Sequence, residues 1–312
     1  MLYKLPNMFD STLDEFVNFS DVNFIVSDLD GTLIDGSEPI LKQIKQQIIF
    51  LKSQKVKITI ATGRTYTGAK NLFEEIGMEN EMPIALYNGA IIIDYGTDKI
   101  EQQSAIDYNA FCRLQSILNE ISATAYFYSF ELGEEIWNKN GTKIIEKVLG
   151  IGTPIRFLDV NGIEIEWIDG LYNCTPKILT VLVEKRYLND NQIEKLILFL
   201  SSEAKLSYTD SGNGFIEIKN AETDKGNIYD ILRKKYDVKK ILAIGDNDND
   251  KELFEKADIS VAVANSSTLA ITTAQYLCEN ECAKGFLDML ETVKNAKWYY
   301  REEIWLILRY TI

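Results

Sequence analysis

Two aspartates one residue apart, Asp28 and Asp30, stand at the end of the apolar run Phe24-Ile25-Val26 and are followed by Gly31 and Thr32. A short β-rich run that stops at two acids reads as a buried strand delivering carboxylates to a sheet edge. Like charges this close repel and raise each other's pKa unless a cation lies between them or one takes a proton. Either outcome is chemically useful. A second polar set, Asp246, Asn249 and Asp250, follows the apolar residues 241–244, while Thr62 ends the run 56–61 and precedes Gly63 and Arg64. Lys225 stands at the head of a further predicted helix. The chain has no histidine, which excludes a Ser-His-Asp or Cys-His site and any zinc centre with imidazole ligands. Carboxylates, lysine, hydroxyls and a hard metal ion are left to carry the chemistry.

The elements that must position these residues follow from the periodicity. Residues 1–21 form a leader with a short helix near 13–19, to which no function is assigned. After the acidic strand, Pro39 followed by Ile40, Leu41, Ile44, Ile48 and Leu51 makes an amphipathic helix. Residues 56–61 are a strand, 66–76 a helix and 83–87 a strand closed by Asn88-Gly89. Strands and helices alternating through short connections predict the α/β class, with a doubly wound parallel sheet covered on both faces. The rhythm returns from Gly214 with a strand at 215–218, a helix through Ile228 and Leu232, the strand 241–244, a helix with Leu253 and Phe254, and a strand at 260–264.

Ligands of an open parallel sheet bind beyond the carboxyl ends of its strands. Asp28, Asp30, Thr62, Lys225, Asp246, Asn249 and Asp250 can therefore converge on one crevice although far apart in sequence. Three carboxylates make an oxygen-rich cage suited to Mg²⁺. Lys225 and the Thr62 hydroxyl would add a cation and a donor for a phosphoryl oxygen. Calcium is excluded: Asp246, Asp248 and Asp250 begin a calcium-loop spacing, but Lys251 replaces the required glycine and Ala257 the closing acid.

The middle of the chain reads as an α+β module inserted into this core. A hairpin at 91–94 and 99–103 leads out, followed by a helix near 108–121 and strands at 124–130, 155–158, 163–168, 178–183 and 205–209, with a helix near 192–200. The expected organisation is an N-terminal extension over 1–21, core over 22–98, the inserted module over 99–212, core again over 213–292 and a tail over 293–312. Tyr126, Phe127, Tyr128, Phe130, Trp137 and Trp167 read as packing residues of that module. The aromatic tail is expected to dock on its own chain.

A length of 312 residues with 46% hydrophobic content predicts more than one domain. The net charge of −14 argues against nucleic acid and anionic membrane partners, and it would repel a phosphorylated ligand unless local cations compensate. No apolar run approaches a bilayer span, and the N-terminus is acidic, so a soluble cytoplasmic protein is expected, monomer or homodimer. Cys112, Cys174, Cys278 and Cys282 form no CxxC pair and read as reduced thiols.

DLDGTL at 28–33, ATGR at 61–64, DKG at 224–226 and GDNDND at 245–250 resemble, in order, the four motifs of the haloacid dehalogenase superfamily. Asn88-Gly89-Ala90 and AVANS at 262–266 further resemble its Cof-like branch, mostly phosphatases of sugar phosphates and other small esters. The resemblance covers most of 22–292 and implies a Rossmann-like core with a C2-type cap of the α/β subclass, C2B. Only 32 positions separate Asp30 from Thr62, whereas 163 separate Thr62 from Lys225, which assigns the cap to the second gap.

The resemblance also implies roles. Asp28 would be the nucleophile and Asp30 the general acid and base, with the Asp30 carbonyl on the metal. Mg²⁺ would sit among Asp28, Asp30, Asp246, Asn249 and Asp250, and Thr62 and Lys225 would hold the phosphoryl group. Gly63, Arg64 and Asn88 would orient the substrate or brace the loops. The expected activity is a Mg²⁺-dependent phosphatase acting on a small phosphorylated metabolite, a sugar phosphate foremost, through an aspartyl-phosphate. The alternatives are a phosphomutase of the phosphomannomutase type and a non-catalytic phosphometabolite-binding protein. The last would have no use for Asp30 as an acid.

Overall fold

The computed structural model describes residues 2–6, 13–34, 38–134, 142–169, 177–210 and 214–311. In chain order, β1 (Tyr3–Lys4) and α1 (Leu13–Ser20) precede β2 (Val22–Ser27), α2 (Glu38–Ser53), β3 (Lys57–Ile60), α3 (Tyr66–Glu75) and β4 (Pro83–Leu86). Next come β5 (Ile91–Asp94), β6 (Lys99–Gln103), α4 (Tyr108–Glu120), β7 (Ala125–Glu134), β8 (Thr142–Ile151), β9 (Ile165–Trp167) and β10 (Ile178–Glu184). They are followed by α5 (Asp190–Ser202), β11 (Leu206–Asp210), β12 (Phe215–Asn220), α6 (Ile228–Lys235) and β13 (Lys240–Gly245). α7 (Lys251–Lys256), β14 (Ile259–Ala262), α8 (Thr268–Thr273), β15 (Tyr276–Leu277) and α9 (Cys282–Thr311) complete the chain.

These elements form two compact units: Met1–Thr62, Leu72–Ile84 and Lys225–Ile312 make the first, and Gly63–Asn71 with Ala85–Asp224 the second. The first unit is built on a six-stranded sheet in the order β1-β15-β14-β13-β2-β3, with every pairing parallel. Its central strands are mostly apolar and buried, with only Asn23 and Lys240 half-buried, as strands covered on both faces should be. α2 turns Ile44, Ile48 and Leu51 inward at helical spacing, and α9 packs on α1 and α2. β2 lies between β3, which follows it in sequence, and β13, which arrives from more than two hundred residues away. The strand order reverses there, and it is beyond the carboxyl ends of the strands at such a reversal that open parallel sheets bind ligands.

The second unit carries an antiparallel sheet in the order β11-β12-β10-β7-β8-β9, with β8 and β9 alone parallel. α4 and α5 bury Leu114, Leu118, Leu196 and Leu200 against Phe127, Val181 and Ile218 of this sheet. Tyr126, Phe127, Tyr128 and Phe130 are buried, as packing residues should be, while Trp137 and Cys174 lie outside the described residues. Among the described residues no helix is long and apolar enough to cross a membrane.

Several strands differ from expectation. The strand expected at 215–218 in the parallel sheet is β12, which pairs antiparallel with β10 and β11 instead. The strand expected at 83–87 is β4, which belongs to a three-stranded sheet, β4-β5-β6. The tight turn Tyr87–Gly89 brings β5 back beside β4, and a short connection favours pairing of neighbours. β4 still touches the parallel sheet, because the Thr59 hydroxyl donates to the Pro83 carbonyl. β8 was assigned to no element by the sequence. The leader adds β1 to the edge of the core sheet, and the tail continues α9 without a break.

Candidate active site

Asp28 extends the pairing of β2, its N–H donating to the Ile244 carbonyl of β13 at 2.9 Å. The chain then turns sharply, and the N–H groups of Thr32, Leu33 and Ile34 all donate to the Leu29 carbonyl. Gly31 permits this with a φ of +80°, and a Cβ there would lie 2.4 Å from Asp246 Oδ2. Neither the backbone angle nor the space suits a larger residue. The turn leaves Asp30 exposed and sends Thr32 inward, where its hydroxyl donates to Asp246 Oδ1 at 2.9 Å. Thr62, also buried, leaves the sheet beside Asp28, since Ala61 N–H donates to the Ser27 carbonyl at 2.9 Å.

Lys225 opens a short turn ahead of α6 and is only 1% exposed. Its ammonium donates to Asp28 Oδ1 and Asp250 Oδ1, each at 2.7 Å, and to Asn249 Oδ1 at 3.3 Å. Burial works to lower the pKa of Lys225, but the Asp250 and Asp28 carboxylates beside it hold it above its ordinary value. The other oxygen of Asp250 accepts the backbone N–H groups of Asp246 and Asn247 at 2.9 and 3.0 Å. Both oxygens of Asp250 are thus engaged by protein donors, and it braces Lys225 and the loop after β13.

Asp28, Asp246 and Asp250 each place an oxygen within 4.8 Å of the others. Burial lifts Asp28 well above the usual carboxylate range, against the pull of Lys225 and with help from Asp250 and Asp246. Asp246 is pushed up to about 6 by burial and by Asp250, opposed by its bond from Thr32. Three carboxylates around one ammonium leave surplus negative charge in a desolvated place. That surplus, offered by hard oxygen donors, fits a divalent cation such as Mg²⁺.

Gly63, Arg64 and Asn88 belong to the second unit, where they form a set of their own. The Asn88 side chain lies on Gly63, where a Cβ would come 3.1 Å from Asn88 Oδ1. Asn88 Nδ2 donates to Glu217 Oε1 at 2.8 Å. The Arg64 carbonyl accepts Tyr87 N–H at 3.1 Å, and its guanidinium donates to the Gly68 carbonyl at 2.9 Å. Sequence reasoning gave no role to Thr32 or Asn265, whose amide donates to the Gly31 carbonyl at 2.9 Å. Asn265 does lie in the AVANS segment already singled out, which was its one available signal.

A family model described as haloacid dehalogenase-like hydrolase matches residues 25–290. A Mycoplasma genitalium protein with a provisional phosphatase name, MG265, is 27% identical over 82% of this chain and 92% of its own. The 5-amino-6-(5-phospho-D-ribitylamino)uracil phosphatase YwtE of Bacillus subtilis is 25% identical over 78% of this chain and 87% of its own. Among solved structures, a haloacid dehalogenase-like hydrolase from Bacteroides thetaiotaomicron superposes with a TM-score of 0.67 at 21% identity, covering 88% of this chain and 99% of that one. Four ordered motifs, a parallel sheet with a buried acid-and-lysine cluster at its strand ends, and a family match across most of the sequence agree: the chain belongs to the haloacid dehalogenase-like hydrolases.

Proposed function

We propose that this chain is a Mg²⁺-dependent phosphatase that cleaves a small phosphate monoester, a sugar or polyol phosphate foremost, through an aspartyl-phosphate. Hydrolysis of phosphate monoesters is the activity that its family and the phosphatase names of its relatives support. The metal, the ester and the residue roles are the proposal. The observation that carries it is the buried Lys225 ammonium 2.7 Å from Asp28 within a three-carboxylate cluster. The ester named for the B. subtilis relative, a 5-phosphoribityl compound, fits the substrate class.

In this reading Asp28 attacks phosphorus in line with the leaving oxygen, so that a carboxylate O–P bond forms as the ester O–P bond breaks. Asp30, exposed two residues on, gives its proton to the leaving alkoxide. It then takes one from the water that attacks the aspartyl-phosphate, releasing orthophosphate and restoring Asp28. The Thr62 hydroxyl and Lys225 hold the oxygens of the phosphoryl group in transfer. Asp28, Asp246 and the Asp30 carbonyl, with Asn249 and Asp250 beside them, would hold Mg²⁺, which would supply positive charge against the phosphate. Gly63, Arg64 and Asn88 orient the ester, and the inserted module, a C2B-type cap, selects the leaving group.

The test is orthophosphate release from a panel of phosphorylated sugars, polyols and cofactors, with Mg²⁺ or with EDTA, for the parent and Asp28→Asn. Turnover that needs Mg²⁺ and disappears in the variant is expected, and the ranking within the panel names the ester. A folded protein that releases no orthophosphate but isomerises a sugar monophosphate when the sugar bisphosphate is added would be a mutase. Full activity in Asp28→Asn would overturn the mechanism.

A further inference from the structure

Tyr87, Asn88 and Gly89 take φ angles of 50°, 53° and 89°, three left-handed residues in a row, and two of them carry side chains. A non-glycine residue is strained there and persists only where its surroundings over-determine it. Both side chains are anchored on carboxylates from the antiparallel sheet of the same unit. The Tyr87 hydroxyl donates to Glu146 Oε1 of β8 at 2.6 Å, and the Asn88 amide to Glu217 Oε1 of β12 at 2.8 Å. Tyr87 and Asn88 are both buried, so neither bond can be replaced by water at no loss.

Glu146 has a second task. Its two oxygens accept the N–H groups of Tyr66 and Thr67 at 2.7 and 2.8 Å, the first turn of α3. A helix begins with unpaired N–H groups and partial positive charge, and an anionic acceptor there is stabilising. Glu146 thus serves as an N-cap supplied from a strand some eighty residues away. It also occupies donors that would otherwise be open to a phosphate. The turn and the start of α3 share a further bond, from Tyr87 N–H to the Arg64 carbonyl. Asn88 closes the arrangement by lying on Gly63, the residue bonded to Thr62.

We propose that Glu146 and Glu217 are positioning residues for the hydrolysis: together they clamp the loop Gly63–Thr67 to the left-handed turn Tyr87–Gly89, and so fix the loop through which Thr62 meets the phosphoryl group. The proposal rests on the phosphatase reading above. Neither glutamate touches the substrate; each acts through the loop. Glu146→Gln keeps one acceptor oxygen for three donors and Glu146→Ala keeps none, which ranks the two variants in advance. Glu217→Gln can still accept from Asn88 and is the conservative partner of Glu217→Ala.

The experiment uses the full chain with Mg²⁺ and p-nitrophenyl phosphate. It measures kcat, KM and the inhibition constant of orthophosphate for Glu146→Ala, Glu146→Gln, Glu217→Ala, Glu217→Gln, Tyr87→Phe and the Tyr87→Phe/Glu146→Ala double variant. Glu146→Ala and Glu217→Ala should raise KM and the orthophosphate constant about tenfold, because a loop displaced by a fraction of an ångström misplaces its ligand. The Gln variants should recover part of that loss. The double variant should be no worse than Glu146→Ala, since both changes break one contact. A merely structural role would lower the thermal midpoint of the Ala variants and leave both constants at parent values, and that result would overturn the proposal. So would additive losses in the double variant. Amide exchange at Tyr66, Thr67 and Tyr87, faster in Glu146→Ala than in the parent, reads the clamp without any turnover. If the parent hydrolyses no ester, the phosphatase reading fails by itself, and unchanged exchange at those three amides would sink the clamp independently.

Discussion

Lys225 shows how one side chain settles the electrostatics of the site. Its ammonium pairs with both Asp28 and Asp250, and all three residues are buried. Removing one partner of a buried ion pair leaves the others uncompensated, which costs about 3–5 kcal/mol. Lys225→Met should therefore lower the thermal midpoint clearly, and added Mg²⁺ should restore more of that loss than it adds to the parent. Turnover should fall at least about a hundredfold, the usual effect of removing one preorganised donor to a developing charge. Thermal melts with and without Mg²⁺, together with kcat, check both halves. A variant within twofold of the parent in kcat would remove Lys225 from the phosphoryl site.

At the scale of elements, caps and strand partners decide what propensity leaves open. Asn189 caps α5 by accepting Gln192 N–H at 3.0 Å, and Gln192 returns the contact to Asn189 N–H at 2.8 Å. This reciprocal box satisfies two backbone donors at the start of a helix that buries Leu196 and Leu200. Asn189→Ala should destabilise the second unit by about 1 kcal/mol, measured by urea unfolding, and leave phosphate release per folded molecule unchanged at room temperature. An unaltered urea midpoint would show that α5 is held by packing alone. β8 makes the complementary point. Its apolar residues 144, 145, 148 and 149 carry helical spacing, yet it pairs with β7 along ten residues, from Thr142 opposite Glu134 to Ile151 opposite Ala125. Pairing with a long partner strand overrides a weak local pattern.

For the whole molecule the dominant quantity is the net charge of −14. A phosphate monoester is itself an anion, so the overall field opposes its approach even where Lys225 and a metal attract it locally. Screening between roughly 10 and 150 mM salt shortens the Debye length from about 30 to 8 Å. kcat/KM for a dianionic ester should accordingly rise over that range, the reverse of the behaviour of a basic phosphate-binding protein. Initial rates at low substrate in KCl series, at constant free Mg²⁺, measure it. A fall with added salt would mean that the local cations govern capture from the bulk.

The chemistry of the candidate site was legible in the linear sequence because its residues sit at strand ends, and strand ends are local features. Apolar runs mark the strands, and a parallel sheet sends all their carboxyl ends to one edge. That is why Asp28, Lys225, Asp246, Asn249 and Asp250 could be grouped in advance, and the structure does gather them. The absence of histidine narrowed the chemistry before any fold was known. Tertiary structure alone decided the partners. Periodicity reports that a face is buried and not what buries it, so β4 and β12 could not be given to their own sheets, nor β8 recognised at all. The same limit hid the part of Asp250 as a brace for Lys225 and of Glu146 as a cap for α3. Each of those contacts joins residues far apart in sequence, and their free energy exists only once both elements are in place.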